Sequence, residues 1–447
     1  MDLHRKAYSR LLQWKEQSNG TSAMLIEGAR RVGKSYLARR FAEQEYTSYL
    51  YLDFSNIEKE VLDLFENEMN PLDIFFLKLQ SFYAVNLKER KSCIIFDEVQ
   101  MYPRARQMIK HLVADGRYDY IETGSLVNIK QNVQNILIPS EEESMQLNPL
   151  DFEEFLFALN EEMLVQYIQT CFTNRRPLGD ALHRKAMNLF RVYMIVGGMP
   201  QAVEKYCETK NLIDVNYIKQ RILKLYRDDI AKFAKGYEAK VLSIFDQIPE
   251  QLTKHEKKFS LASLGKTARY REYEDSFIWL SESKVVNHCY NSTDPNVGIN
   301  LNTDRLTMKC YMADTGLLIT QAIDDGTVIQ EEVLKAIMFD KVGINEGMFL
   351  ENVVSQLLVA AGHKLFFYSR TDKNDFHNNI EIDFLIRKKK KISIVEVKSG
   401  EYRKHTSLDR FSQKFSDKVG DKYIIYTKDL KKEEDIVCIP AYMVYYL

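Results

Sequence analysis

The sequence predicts an α/β chain of several domains, and three observations carry that prediction. An apolar run, Ala23-Met24-Leu25-Ile26, leads into a glycine-bounded loop and a helical segment. A second apolar run, Cys93-Ile94-Ile95-Phe96, ends in the acid pair Asp97-Glu98. Far downstream, strand-like runs over 381–386 and 392–398 set acids and a lysine among apolar residues. Strands alternating with helices imply a parallel sheet with helices on both faces, whose ligand crevice lies at the carboxyl ends of the strands. At 447 residues the chain is too long for one core and is expected to hold two to four domains.

The glycine-bounded loop is Gly28-Ala29-Arg30-Arg31-Val32-Gly33-Lys34-Ser35, and the helical segment opens at Tyr36. A polyphosphate fits such a place, because loop amides converge on it and the first helical turn leaves its own amides unpaired. Gly28 and Gly33 let the loop wrap closely. Lys34 is expected to reach the β- and γ-phosphates, and Ser35 to offer its hydroxyl to Mg²⁺. ATP or GTP is the expected ligand, with residues 28 to 35 as the cradle.

The first domain, about residues 1 to 160, continues with a strand over Ser48 to Phe54, a helix over Pro71 to Val85 and the 93–98 strand. Asp97, at the end of that strand, is placed to hold Mg²⁺, and Glu98 to orient or deprotonate an attacking water. The plainer alternative is that the pair begins a solvated loop. A strand over Tyr118 to Thr123 ends at Gly124-Ser125, where Thr123 or Ser125 could sense a γ-phosphate by hydrogen bonding. A simple strand-to-turn exit would look the same.

These motifs, with Leu147-Asn-Pro-Leu-Asp-Phe-Glu-Glu-Phe155, Tyr193-x-x-x-Gly197-Gly-Met-Pro200 and the Glu-Ile-Asp and Glu-Val-Lys motifs near the C-terminus, resemble a family over nearly the whole chain. It is the AAA+-related ATPases of bacteria and archaea whose tail is a domain of unknown function with a restriction-endonuclease-like fold. The resemblance implies ATP rather than GTP, ATP hydrolysis and action on DNA. It also implies the fold class in full: an α/β P-loop NTPase parallel sheet with a helical lid, a winged-helix-like middle domain and a C-terminal restriction-endonuclease-like α/β domain. One departure stands out. Many relatives carry Gly-Arg before the Leu-x-Pro-Leu segment where this chain has Pro139-Ser-Glu-Glu-Glu-Ser144; if that arginine serves nucleotide hydrolysis in relatives, its absence weakens the expectation of fast turnover.

From 161 to 239 apolar residues recur at three- and four-residue spacing, which predicts a helical lid subdomain. Gly197-Gly198 before Pro200 is read as the end of one helix and the start of another. Residues 240 to 335 read as three helices and two short strands, 284–290 and 308–313, an order that suits a winged helix. Lys266, Arg269 and Arg271 stand near the start of its last helix, where phosphates would be contacted; a solvated charged face is the alternative.

The last domain, 340 to 447, opens with a helix over 346–361. Period-two geometry puts Glu381 and Asp383 on one strand face, and Glu396 and Lys398 on one face of the next. If those strands pair, Asp383, Glu396 and Lys398 converge, the set that metal-assisted phosphodiester cleavage requires. Asp383 and Glu396 would bind Mg²⁺ and Lys398 would assist a water nucleophile or stabilise the phosphate. The pattern resembles the PD-(D/E)XK nuclease signature, which implies Glu351 on the preceding helix as an accessory metal ligand. An amphipathic hairpin with a solvated acidic face is the alternative. The basic run Arg387 to Lys391 joins the two strands, either as a solvated turn or as an attractant for a nucleic-acid backbone.

Composition bounds the rest. Lys plus Arg number 62 and Asp plus Glu 63, so contact with nucleic acid falls to local patches. Six cysteines without a Cys-x-x-Cys pair suit buried thiols in a reducing cytosol. With no signal-peptide core and no run of about 18 apolar residues, a soluble, cytoplasmic protein with no membrane partner is expected. The leading expectation is an ATP-driven enzyme in which nucleotide closes the lid and licenses a C-terminal metal site on DNA. The alternative is an ATP-dependent switch whose tail binds DNA or a protein without cleaving; a protein remodeller is a third class. Homo-oligomerisation is left open.

Overall fold

The computed structural model describes residues 2–67, 70–124, 140–254, 256–324, 330–338, 346–371, 379–400 and 402–447. The chain divides into two units, Arg5–Asn148 and Pro149–Leu447, the second joined by the first few residues.

The smaller unit runs α1 (Lys6–Ser18), β1 (Ala23–Glu27), α2 (Lys34–Glu45), β2 (Ser48–Asp53), α3 (Lys59–Asn67), α4 (Leu72–Tyr83), β3 (Ser92–Asp97), α5 (Pro103–Asp115), β4 (Asp119–Gly124) and β5 (Glu142–Gln146). Among the described residues its five strands form one sheet in the order β2-β3-β4-β1-β5, every pair parallel. Leu25, Leu50, Ile94, Phe96 and Tyr120 pack on one face against Phe65, Phe75 and Ile109 from the helices. The alternate residues Met24, Ile26, Ile95 and Ile121 are equally buried. Burial at both parities is why β1 and β3 read as continuous apolar runs: a parallel sheet is covered on both faces. The edge strand β5 has only Met145 buried, so it carries no such run.

The larger unit begins with helices: α6 (Phe152–Ala158), α7 (Glu162–Thr173), α8 (Asp180–Val196), α9 (Pro200–Thr209), α10 (Leu212–Phe233), α11 (Glu238–Thr253) and α12 (Tyr270–Glu282). Next come β6 (Val286–Ser292), β7 (Thr303–Met312), α13 (Thr315–Ile323), α14 (Glu331–Met338) and α15 (Glu346–Ala360). The chain closes with β8 (Phe366–Arg370), β9 (Ile380–Lys388), β10 (Lys391–Val397), α16 (Thr406–Lys414), β11 (Val419–Tyr426), β12 (Lys431–Glu433) and β13 (Ile436–Pro440). The eight strands described here form a mixed sheet in the order β12-β13-β11-β10-β9-β8-β6-β7. The hairpin β6–β7 follows α11 and α12 and is not a separate sheet. It continues the C-terminal one through Tyr290 and Asn291 of β6, which pair with Phe366 and Phe367 of β8. Hydrogen bonding thus runs across the boundary expected near residue 335, and the inner edge of the hairpin is paired rather than left open.

The Tyr193-to-Pro200 motif is a packing joint. Helix α8 ends at Val196 and α9 starts at Pro200, as the glycines implied. Gly197 lies at φ 80, and a Cβ there would stand 2.3 Å from Asp314 Oδ1; one on Gly198 would stand 2.1 Å from the Leu150 carbonyl oxygen. That closeness lets the Gly198 amide donate to Asp314 Oδ2 at 2.6 Å, while Asp314 Oδ1 caps α13 by accepting the Leu317 amide at 2.9 Å. The Tyr193 hydroxyl donates to the Leu150 carbonyl at 2.8 Å and accepts from Gln356 Nε2 at 2.9 Å. The start of α6 is fixed by a capping box in which Asp151 and Glu154 exchange side-chain and backbone bonds.

Candidate functional site

Two sites emerge, one in each unit. In the smaller unit the loop between β1 and α2 bends through Gly28 at φ 154, Arg31 at φ 71 and Gly33 at φ 95. Gly28 is required for space as well, since a Cβ there would lie 2.3 Å from the Leu147 carbonyl oxygen. Gly33 caps α2 in the left-handed region, so the helix starts at Lys34 with its first amides facing the loop. Behind the loop, buried Arg5 donates from Nη1 to the Val32 carbonyl at 2.9 Å and from Nη2 to the Asn148 carbonyl at 2.6 Å. The Lys34 ammonium is buried and donates to the carbonyls of Gly28 and Ala29, each at 3.0 Å. Ala29 and Val32 are buried, whereas Arg30 and Arg31 are exposed.

Asp97 closes this site. Ser35 Oγ donates to its Oδ1 at 2.7 Å. The Thr123 hydroxyl donates to the same oxygen and the Tyr51 hydroxyl to Oδ2. Parallel register explains the meeting, because β2 and β3 run side by side with Asp53 opposite Asp97. Glu98 turns the chain at φ 52, donates its amide to Thr123 Oγ1 at 3.3 Å and accepts from Gln100 Nε2 on its carboxylate. Thr123 therefore sits beneath the acid pair. Ser125 lies outside the described residues. Tyr51 was not among the residues singled out from sequence. Burial first, and the bond to Asp97 second, push its phenol up, so it stays a donor. Its alternation with Asp53 on β2 is the one signal that could have found it.

Side-chain oxygens from Ser35 and Asp97 within one hydrogen bond suit a hard cation such as Mg²⁺, which takes oxygen ligands.

In the larger unit, Glu351 of α15, Glu381 and Asp383 of β9, and Glu396 of β10 with the adjoining Lys398 come together. Asp383 Oδ2 accepts the Val397 amide at 2.9 Å, and Lys398 Nζ lies 3.0 Å from Glu396 Oε2. Two further lysines join them. Lys309 of β7 lies 3.3 Å from Glu351 Oε1, 3.2 Å from Glu381 Oε1 and 3.6 Å from Asp383 Oδ1, with 1% of its side chain exposed. Lys257 pairs with Glu351 Oε2, and the Tyr311 hydroxyl donates to Glu351 Oε1.

The electrostatics follow from this packing. Burial pulls Lys309 down, but Glu351, Asp383 and Glu381 outweigh it and hold the ammonium protonated. Burial pushes Glu351 up, but Lys309 and Lys257 bring it below its ordinary range. Glu396 is raised to about 7 by burial and by Asp383, against the pull of Lys398. Among the described residues, no group of three or more carboxylate, imidazole or thiolate side chains is arranged to hold a metal ion. Lys309 had no sequence signal, since its role depends on how β7 joins the C-terminal sheet, and neither had Lys257, which reaches Glu351 from the segment between α11 and α12.

Lys266, Arg269 and Arg271, at the start of α12, are exposed, as are Arg387, Lys389, Lys390 and Lys391 at the β9–β10 turn. No described helix is long and apolar enough to cross a membrane.

Comparison with known proteins agrees with the smaller unit. Residues 20–156 match the family model of an AAA domain. Residues 187–326 and 346–444 match two domains of unknown function, DUF8612 and DUF4143. The N-terminal part thus has an AAA-type, P-loop NTPase-like fold, followed by a helical middle and a C-terminal mixed-sheet domain. A comparison with curated proteins finds no match. Among solved structures, a Walker-type ATPase of Pyrococcus abyssi is similar at 16% identity and a TM-score of 0.41, covering 72% of this chain and 96% of its own. The RuvB Holliday junction branch migration motor of Thermotoga maritima is similar at 11% identity and a TM-score of 0.30, covering 64% of this chain and 89% of its own.

Proposed function

We propose that the chain is an ATP-binding and ATP-hydrolysing switch that acts on DNA. The observation that carries this reading is the meeting of Ser35 and Asp97 at 2.7 Å at the mouth of the glycine loop. Residues 28 to 35 would cradle the phosphates, with Lys34 leaving the Gly28 and Ala29 carbonyls to neutralise the β- and γ-phosphates. Ser35 and Asp97 would hold Mg²⁺, which when bound supplies positive charge to the phosphate oxygens. Glu98 would orient the attacking water once its carboxylate parts from Gln100, and Thr123 keeps Asp97 in place. Ser125 remains a proposed γ-phosphate contact. DNA is favoured as the partner by the exposed bases Lys266, Arg269 and Arg271 and by the basic β9–β10 turn.

A second reading, favoured by the convergence of Asp383, Glu396 and Lys398, makes the C-terminal domain a Mg²⁺-dependent nuclease with Glu351 as accessory ligand. One experiment tests both. Purified protein is incubated with plasmid and linear DNA plus Mg²⁺ or Mn²⁺, with and without ATP, beside Lys34→Ala and Asp383→Ala. The switch predicts DNA binding that changes with ATP, is insensitive to ATP in Lys34→Ala, and leaves the DNA intact. Cleavage lost in Asp383→Ala supports the nuclease, and absence of DNA binding in every nucleotide state contradicts both.

A further inference from the structure

Three of the four acids of the C-terminal cluster, Asp383 among them, already surround a cation. Lys309 Nζ stands within 3.6 Å of an oxygen of each of Glu351, Glu381 and Asp383, on a side chain that is 1% exposed. The remaining oxygens of two of these acids are engaged as well. Glu351 Oε2 meets Lys257 and Asp383 Oδ2 accepts the Val397 amide. Glu396 pairs with Lys398. Four carboxylates thus face three ammonium groups.

A hard dication needs several oxygens aimed at one point at roughly 2.0 to 2.6 Å. In this cluster that point belongs to an ammonium tethered to β7. A dication placed beside it would meet like charge in a buried, weakly screened setting. The lysine is also well chosen for permanence, since a buried ammonium with carboxylate partners satisfies its donors without water.

We propose that Lys309 is the resident cation of this cluster: it occupies the place of a metal ion, so that the C-terminal domain works without binding a divalent metal. This deepens the switch reading, on which it rests, and sets it apart from the nuclease reading. The β6–β7 hairpin thereby belongs to the C-terminal site, and Lys309 acts as a positioning residue for Glu351, Glu381 and Asp383.

The test is a Mn²⁺ titration followed by electron paramagnetic resonance. It uses the nucleotide-free full-length chain carrying Asp97→Asn, so that the N-terminal site contributes nothing. The parent is expected to bind no Mn²⁺ at millimolar concentration. Adding Lys309→Met is expected to create one site per chain, which disappears again with Asp383→Asn. Mn²⁺ should raise the melting temperature of the Lys309→Met protein by several degrees and leave the parent unchanged, a response that a merely structural lysine would not produce. Lys309→Gln repeats the arm with a polar side chain should the methionine protein fail to fold. A parent that binds Mn²⁺ and loses it with Asp383→Asn overturns the proposal and restores the nuclease reading. Folded Lys309 variants that gain no Mn²⁺ also overturn it. DNA and ATP binding are measured separately on the unmodified chain, so a failure of the switch reading stays distinguishable.

Discussion

Ser35 donates a 2.7 Å hydrogen bond to Asp97, from the first turn of α2 to the last residue of β3, across 62 positions of sequence. A hydroxyl after a phosphate-binding lysine and an acid at the end of a neighbouring strand thus share one point in space. Ser35 and Asp97 are the residues that would hold Mg²⁺ there, which would supply positive charge to a bound phosphate.

Ser35→Ala should therefore leave the fold intact and slow ATP hydrolysis by about a hundredfold, the scale of losing one electrostatic contact to the reacting phosphates. A steady-state phosphate-release assay with Mg²⁺ checks it. Unchanged turnover would remove Ser35 from the site.

Tyr51→Phe deletes one of the three hydroxyls that donate to Asp97. A hydrogen bond to a charged group is worth about 1.5 to 3 kcal/mol, so turnover should fall by about tenfold or more while the KM for ATP moves little. A loss confined to KM would show that Tyr51 serves binding instead.

His288 supplies a pH signature of the larger unit. Burial alone depresses its pKa from 6.5 to about 4. Between those values the unfolded chain binds the proton and the folded chain does not, so stability falls as pH drops through the window. The loss levels off below about pH 4, at about 3 kcal/mol. His288→Phe should lose less stability than the parent between pH 7.5 and pH 4.5 in urea unfolding. Equal losses would show that the imidazole is not held neutral.

Gly198→Ala puts a Cβ 2.1 Å from a backbone carbonyl that cannot swing aside. It should cost about 3 kcal/mol or more and lower the melting temperature of the larger unit. A melting temperature equal to the parent's would mean that the joint at Leu150 and Asp314 yields easily.

The contrast between legible and hidden features has a physical basis. Strands β1 and β3 are buried on both faces, so Leu25-Ile26 and Ile94-Ile95 announce themselves as apolar runs. The loop at 28–35 is legible because its chemistry is local to eight residues. The C-terminal acids were legible as a set because period-two spacing within β9 and β10 fixes their faces, and the two strands do pair, with Phe384 opposite Val395. Strand β5 was hidden because its single buried residue leaves no pattern. Lys309 and Tyr51 were hidden for another reason: each acts on residues of other elements, and only the assembled sheet decides which side chains meet. The Tyr193-to-Pro200 motif was legible as a helix break but not as the seat of Asp314, more than a hundred residues away.

The central claim is that the loop at 28–35 binds ATP through Lys34. Calorimetric titration of MgATP into the parent and into Lys34→Ala tests it most directly. The account predicts saturable binding by the parent at one site per chain, weakened by about a hundredfold in the variant, as expected for the loss of a charge-assisted contact to phosphate. Equal affinities in the two proteins, or no binding by the parent, would contradict it.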